Sequence, residues 1–264
     1  MDNLKEVMAI QNVHLEELEF KGNKVGHFAV TDGEKVFGVV SERYQPVSHA
    51  TVLAHVREWL PDGKVESVYT AGKNLSRVVF NIALPKLYEL NGDSSPIETR
   101  VNLRNSLDGG WTIGLIVSPV RVVCTNTFAL HFKEAFISLS EKHYKTGVNR
   151  FMNSLPVVEK VYSAMEGQIK VAQELIKQPC TTEKGREFLR RLVEKKVLPE
   201  RTAEKVSTLF EHPTRPEDEQ WNMWGLFNSA TDVLSRNLEN KGKVSSLDKI
   251  YDVGEAFSEL VSVR

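Results

Sequence analysis

The chain has 264 residues, 41% hydrophobic and 26% charged, the composition of a globular protein with enough length for a substantial core. Its formal net charge of -1 weighs against a protein that coats duplex DNA through many phosphate contacts but leaves room for a local basic groove, and its two cysteines exclude a disulfide framework. No run approaches the roughly 20 apolar residues of a spanning helix, and Met1 to Glu6 lacks an apolar signal core, so a soluble cytoplasmic protein is expected.

The N-terminal part reads as hairpins around one helix. His27 to Val30 and Lys35 to Ser41 flank Thr31-Asp32-Gly33-Glu34, and Asp-Gly is a favoured hairpin turn. Glu42 to Val47 leads out in extended form because the residue before Pro46 avoids the α region. Ser48 can cap a helix through Leu60, with Val52, Leu53, Val56, Trp59 and Leu60 on one face. Val65 to Ala71 and Ser76 to Leu84 form a second strand pair across Gly72-Lys73-Asn74. Asn91 to Pro96 reads as a loop, and Thr99 to Leu103 pairs with Trp111 to Ser118 around Asp108-Gly109-Gly110. Val120 to Cys124 reads as an interior strand.

From Phe128 the period changes to 3.6. Phe128, Phe132, Ala135, Phe136 and Leu139 share a stripe, with Asn126 or Thr127 as the cap. His143 to Arg150 reads as a basic loop. Helices are then expected along Val158 to Ala172, after a Thr181 or Thr182 cap, after Pro199, from Trp221 to Leu238 and around Ile250 to Leu260, with an exposed linker from His212 to Glu219. The expected fold class is α+β: antiparallel hairpins with one helix in the N-terminal half and a helical C-terminal half, divided into lobes 1–150 and 151–264.

Enzyme motifs are scarce. There is no G-x-S-x-G elbow, no phosphate loop at Ala71-Gly72-Lys73-Asn74, and no Cys/His set with zinc spacing, so neither a metal nor a cofactor is expected. His27, His49 and His55 have no partner at ligand spacing, and Cys124 and Cys180 read as ordinary thiols. Charge, however, is uneven. Residues 100–150 hold seven Lys or Arg against three Asp or Glu, a local excess of four, together with His131 and His143. Within that stretch Arg121 sits among aliphatics, where a guanidinium requires a carboxylate, a carbonyl cluster or a bound anion. An arginine beside a helix start at Asn126/Thr127 would suit an anion. His143-Tyr144-Lys145, followed by Arg150, combines a ring with cations, as a single nucleic-acid strand requires. Trp221, Trp224 and Asn228 fall on one helical face.

Several short motifs, in order, resemble the phage/plasmid-like proteins of domain-of-unknown-function family 932. They are Val40 to Val47 (with Tyr44), Thr70-Ala71-Gly72, Asn105 to Gly109 (with Asp108), Pro119 to Thr127 (with Cys124), His143 to Gly147, and Trp224 to Thr231 (with Asn228). Leu107 departs from the family pattern, where a histidine is usual. The resemblance implies a mobile-element protein of bacterial cytoplasm that handles replication or recombination intermediates, or redirects host proteins. The strand pairs feeding a helix also resemble, in topology, phage single-strand annealing proteins. The leading expectation is therefore a non-enzymatic, homo-oligomeric protein that binds single-stranded DNA. In it Arg100, Arg104, Arg121, Lys145 and Arg150 neutralise phosphates, Tyr144 stacks on a base beside His143, and Asn126/Thr127 receive a phosphate. Alternatives are a protein that binds a bacterial host protein, and an enzyme assembled around Arg121, Asn105, Asp108 and His143.

Overall fold

The structure, a computed structural model, describes residues 2–123, 126–127, 130, 138–154, 158–241 and 245–262. Helix α1 (Asp2–Ala9) precedes a three-stranded antiparallel sheet of β1 (His14–Phe20), β2 (Asn23–Thr31) and β3 (Val36–Ser41), in that order. The Asp32-Gly33 turn forms as expected, with the Asp32 carboxylate accepting from the Glu34 and Lys35 amides. β1 was not legible: Glu16, Glu17 and Glu19 break any apolar alternation, and the strand is exposed along most of its length. Ser48 caps α2 (His49–Trp59) by accepting from Thr51 N at 3.1 Å, as its position predicts.

The second sheet contains β4 (Lys64–Ala71), β5 (Arg77–Leu90), β6 (Asp93–Ser106), β7 (Ile113–Val117), β8 (Val120–Arg121), β9 (Asn126–Thr127) and β10 (Ser138–Glu141). Its path runs β10-β7-β6-β5-β4, with β8 paired to β6 and to β9. Three expectations are corrected. Most of the Asn91–Pro96 loop is strand, because only Asn91-Gly92 is needed to turn β5 into β6. The Val120–Cys124 strand stops at Arg121, and Val122 and Val123 are exposed. Asn126 and Thr127 pair with β8, and Leu139 lies in strand β10 rather than on a helical stripe. The rest of that expected helix, from Phe128 to Phe136, falls almost wholly outside the described residues, as do Cys124 and His131.

The helices that follow are α3 (Lys145–Met152), α4 (Val158–Ile176), α5 (Thr182–Glu194), α6 (Glu200–Glu211), α7 (Met223–Lys241) and α8 (Ser245–Ser262). Thr181 caps α5 through the Lys184 amide, and Pro199 stands at the cap of α6. The expected His143–Arg150 loop is mostly α3. It tolerates Gly147 because a Cβ there would lie 2.3 Å from the Lys142 carbonyl oxygen.

By its contacts the chain divides into two units. One comprises Met1–Leu84, Val101–Ile116 and Ile137–Lys160; the other comprises Pro85–Arg100, Val117–Phe136 and Val161–Arg264. β5 and β6 each contribute residues to both units. The first unit has a core of Ile10, Val30, Phe37, Val40, Tyr44 and Leu107, with Trp59 of α2 tilted against Phe151 of α3. The second is built on Trp224, Phe227 and Phe257, with Phe188 edge-on to Phe257.

Candidate functional site

Within the second unit Arg121 is fully buried and its donors are spent. Nε donates to Asp93 Oδ2 (2.7 Å), Nη2 to Asp93 Oδ1 (2.8 Å) and to the Glu217 carbonyl (3.0 Å), and Nη1 pairs with Asp218. Trp224 Nε1 donates to the same Asp93 carboxylate at 2.7 Å. Arg215 bridges Asp218 and Asp232, and Asp232 also pairs with Arg236. Three arginines thus meet three aspartates. This corrects the expectation for Arg121: carboxylates satisfy it indoors, so no passing phosphate reaches it. It also corrects the linker, because a short 3-10 turn at Pro216–Asp218 packs its carboxylate onto Arg121. Arg100, in the same unit, pairs with Glu98. Trp221 is 53% exposed while Trp224 is buried, so the expected shared face holds only for Trp224 and the buried Asn228.

The first unit is different. A cleft of about 450 Å³ is lined by Val39, Val40, Ser41, Tyr44, residues Asp108 to Thr112, Lys142, His143 and Tyr144. Three of the short sequence motifs, around Tyr44, Asp108 and His143, converge there. The backbone brings them together: Tyr44 and Tyr144 form an isolated antiparallel bridge, and Gln45 N donates to the His143 carbonyl at 2.6 Å.

Each wall has a local cause. Asp108 lies two residues beyond β6 and accepts from Ser76 Oγ (2.8 Å), Arg77 Nε (2.8 Å) and Gly110 N (2.9 Å). Burial alone would raise its carboxyl, but bonds from Arg77, the Gly110 amide and Ser76 hold it below the ordinary value. The Arg77 guanidinium also covers the Trp111 ring, 5.6 Å from its centroid, and a Cβ on Gly110 would sit 2.2 Å from that guanidinium. Ser106 closes the turn by bonding both the amide and the carbonyl of Trp111. Gly72 takes φ +76° at the β4–β5 turn, and Gly109 φ +73° beside Asp108.

Tyr44 donates its hydroxyl to the Ser106 carbonyl at 2.8 Å, and burial pushes its pKa up to about 12. Its ring stacks on His143 with centroids 5.0 Å apart. Behind it, Asn105 donates to the Val47 carbonyl (3.0 Å) and to His49 Nδ1 (2.9 Å), while His49 Nε2 faces the Leu75 carbonyl (3.1 Å). A carbonyl only accepts, so His49 carries its proton on Nε2. Burial lowers the His49 pKa to about 4.

His143 is 3% exposed, and its Nδ1 lies 3.4 Å from the Gln45 carbonyl, which places the proton on Nδ1. Nε2 is then a lone-pair acceptor, and it has no hydrogen-bond partner among the described residues. Burial lowers this pKa too, to about 4, so the ring is neutral near pH 7. A buried acceptor without a donor costs about 1–3 kcal/mol. A phenylalanine would stack on Tyr44 without that cost.

Of the expected strand-binding residues, the cleft therefore holds His143 and Tyr144. Lys145 is exposed beside them, and Arg104 donates to Thr112 Oγ1 (2.8 Å) at the cleft wall and to Ser140 Oγ. Arg150 is exposed but makes a two-bond pair with Glu141. Arg100, Arg121, Asn126 and Thr127 belong to the other unit. Sequence reasoning missed Lys142, Arg77 and Trp111 as site residues. The Asp108-Gly109-Gly110 turn immediately before Trp111 was the available signal, since a ring at a turn end is free to line a cleft. Among the described residues no group of three or more His, Cys, Asp or Glu could hold a metal, and no helix is long and apolar enough to cross a membrane.

A family model described as a domain of unknown function (DUF932) matches residues 36–250. No curated protein and no solved structure matches the chain.

Proposed function

This chain belongs to the DUF932 family, and we propose that the cleft of its first unit is a nucleotide-binding site through which the protein holds single-stranded DNA. One observation carries the reading: the half-exposed Tyr144 ring, the Trp111 ring and the exposed Lys142 line one cleft about as large as a small ligand site. Stacking on an aromatic face is tolerant of sequence, and cations outside the cleft follow the backbone. The phosphate contacts are Lys142, Lys145 and Arg104, in place of the buried Arg121. The mobile-element setting, in bacterial cytoplasm, belongs to the same proposal.

Fluorescence anisotropy with labelled single strands across a salt series tests it. Micromolar binding is expected, with log affinity falling as log salt rises by about 0.7 per phosphate contact. Exchanging Lys142 and Lys145 together for alanine then lowers that slope by about 1.4. Binding that ignores salt, or no binding at all, rejects the proposal.

A second reading, docking of a bacterial host protein, draws on exposed Phe20, Val25, Val36 and Val39 on the β1–β3 sheet. A stoichiometric partner recovered from nuclease-treated lysate, and lost with Phe20→Ser and Val39→Ser, would favour it.

A further inference from the structure

We propose that Arg104, Thr112, Ser140 and Lys142 form a seat for one phosphate group at the edge of the cleft. The inference rests on the nucleotide-binding reading of that cleft and names the groups that take the phosphate: Arg104 Nη1, a hydroxyl of the Thr112/Ser140 pair and the Lys142 ammonium.

The strands set these side chains on one face. β10 pairs antiparallel with β7, with Ser140 opposite Gly114 and Glu141 opposite Ile113. One step further along that register Lys142 falls opposite Thr112, and both line the cleft. Alternation places Ser140 and Lys142 on one side and Glu141 on the other, where Arg150 takes both oxygens of its carboxylate. Arg104 reaches the first side from β6. Its Nη2 donates to Thr112 Oγ1 at 2.8 Å and to Ser140 Oγ at 3.2 Å, and the two hydroxyl oxygens lie 2.7 Å apart.

This group has more donors than acceptors. A guanidinium carries five N–H bonds, and only those of Arg104 Nη2 meet an acceptor among the described residues. Nε is sealed, whereas Nη1 reaches solvent. The two hydroxyls hold two protons, their mutual bond uses one, and the other has no acceptor. The neighbouring carboxylates are committed elsewhere: Glu98 to Arg100, Asp108 to Arg77 and Glu141 to Arg150. Arg121, by contrast, is an architectural arginine of the same chain and is ringed by carboxylates. Arg104 is half-buried without a counter-charge, and Ser140 beside it is exposed, so an anion from solution can reach it. A phosphate offers several acceptor oxygens at once, enough for a guanidinium edge, a hydroxyl proton and an ammonium. Trp111, one residue before Thr112, lines the same cleft and sets a stacking ring next to the seat.

The test is phosphorus NMR of inorganic phosphate titrated with the full chain at constant ionic strength, repeated with deoxycytidine monophosphate. Saturable broadening in the millimolar range is expected for inorganic phosphate, with tighter binding of the nucleotide. Thr112→Val keeps the shape and removes a hydroxyl, and Arg104→Lys keeps the charge and removes the fork. Each should weaken phosphate binding about ten-fold. Each should also abolish most of the rise in urea midpoint that phosphate gives the wild type, a gain that a purely structural role would leave intact. Arg186→Ala, in the other unit, should bind phosphate as the wild type does. If Arg104→Lys fails to fold, Thr112→Val and Ser140→Ala still decide.

No saturable broadening by inorganic phosphate, or binding that Thr112→Val, Ser140→Ala and Arg104→Lys all leave unchanged, overturns the inference. If phosphate binds as described but labelled strands do not, the seat stands and the strand-binding reading falls. If strands bind equally well to Thr112→Val and Arg104→Lys, the reverse holds.

Discussion

Arg121 in one unit and His143 in the other are both sealed polar side chains, and they differ in what remains unpaired. Arg121 is a charge surrounded by two carboxylates and a carbonyl, and the indole of Trp224 shares its main partner. His143 is uncharged near pH 7, tethered at one nitrogen and unmet at the other. A buried charge cannot be left waiting for a ligand, because its desolvation penalty is too large, so complete pairing marks architecture. A neutral acceptor can stay unmet inside the fold at modest cost, about 1–3 kcal/mol.

The largest expected effect comes from breaking the architectural half of that contrast. Asp93→Ala removes the chief partner of both Arg121 and Trp224 Nε1, and should lower unfolding free energy by about 3–5 kcal/mol in a urea titration. A loss below about 1 kcal/mol would mean that the remaining carboxylates, Asp218 and Asp232, carry the cluster.

Acid pH sharpens the other half. An imidazole with a folded pKa of about 4 stays neutral where the unfolded chain, at 6.5, takes up a proton. Unfolding is therefore favoured progressively as pH falls from 6.5 towards 4, and this contribution levels off below that. For His143 the whole window is worth on the order of 3 kcal/mol. Asp108 adds its own loss only below the ordinary carboxylate value of 3.8. His143→Phe should roughly halve the slope of the stability profile between pH 6.5 and 4, with His49 supplying the rest, measured by urea titrations at each pH. An unchanged slope would show that the ring charges freely in the folded protein.

Gly147→Ala comes next. It drives a Cβ into the Lys142 carbonyl, and should cost about 1–3 kcal/mol in a urea titration. Tyr144→Ala should leave the melting temperature nearly unchanged and weaken strand binding about ten-fold, read by anisotropy. Smallest of all, Arg150→Ala should leave the thermal midpoint within error, because its pair with Glu141 is solvent-exposed.

How far sequence reasoning reached depends on how local the physics is. The Asp32-Gly33 turn, the Ser48 and Thr181 caps and the stripe Val52, Leu53, Val56 and Trp59 were legible because a few neighbouring residues decide each of them. Exposed β1 was not, since a strand with little apolar face leaves no alternation to read. The candidate site was half legible: Tyr44, Asp108 and His143 stood out as motif residues, and Tyr144 and Lys145 as a ring beside a cation. Lys142, Trp111 and Arg77 did not.

What the sequence determined by itself is the α+β class, most helix and hairpin positions, and the requirement that Arg121 find a carboxylate, a carbonyl cluster or an anion. Only the tertiary structure decided that Asp93 and Asp218 supply that charge, and that three motifs, around positions 44, 108 and 143, line one cleft. The physical reason is range. Propensity, capping and periodicity act within a turn or two of chain, whereas ion pairing and cleft formation join residues dozens of positions apart, as between Arg121 and Asp218.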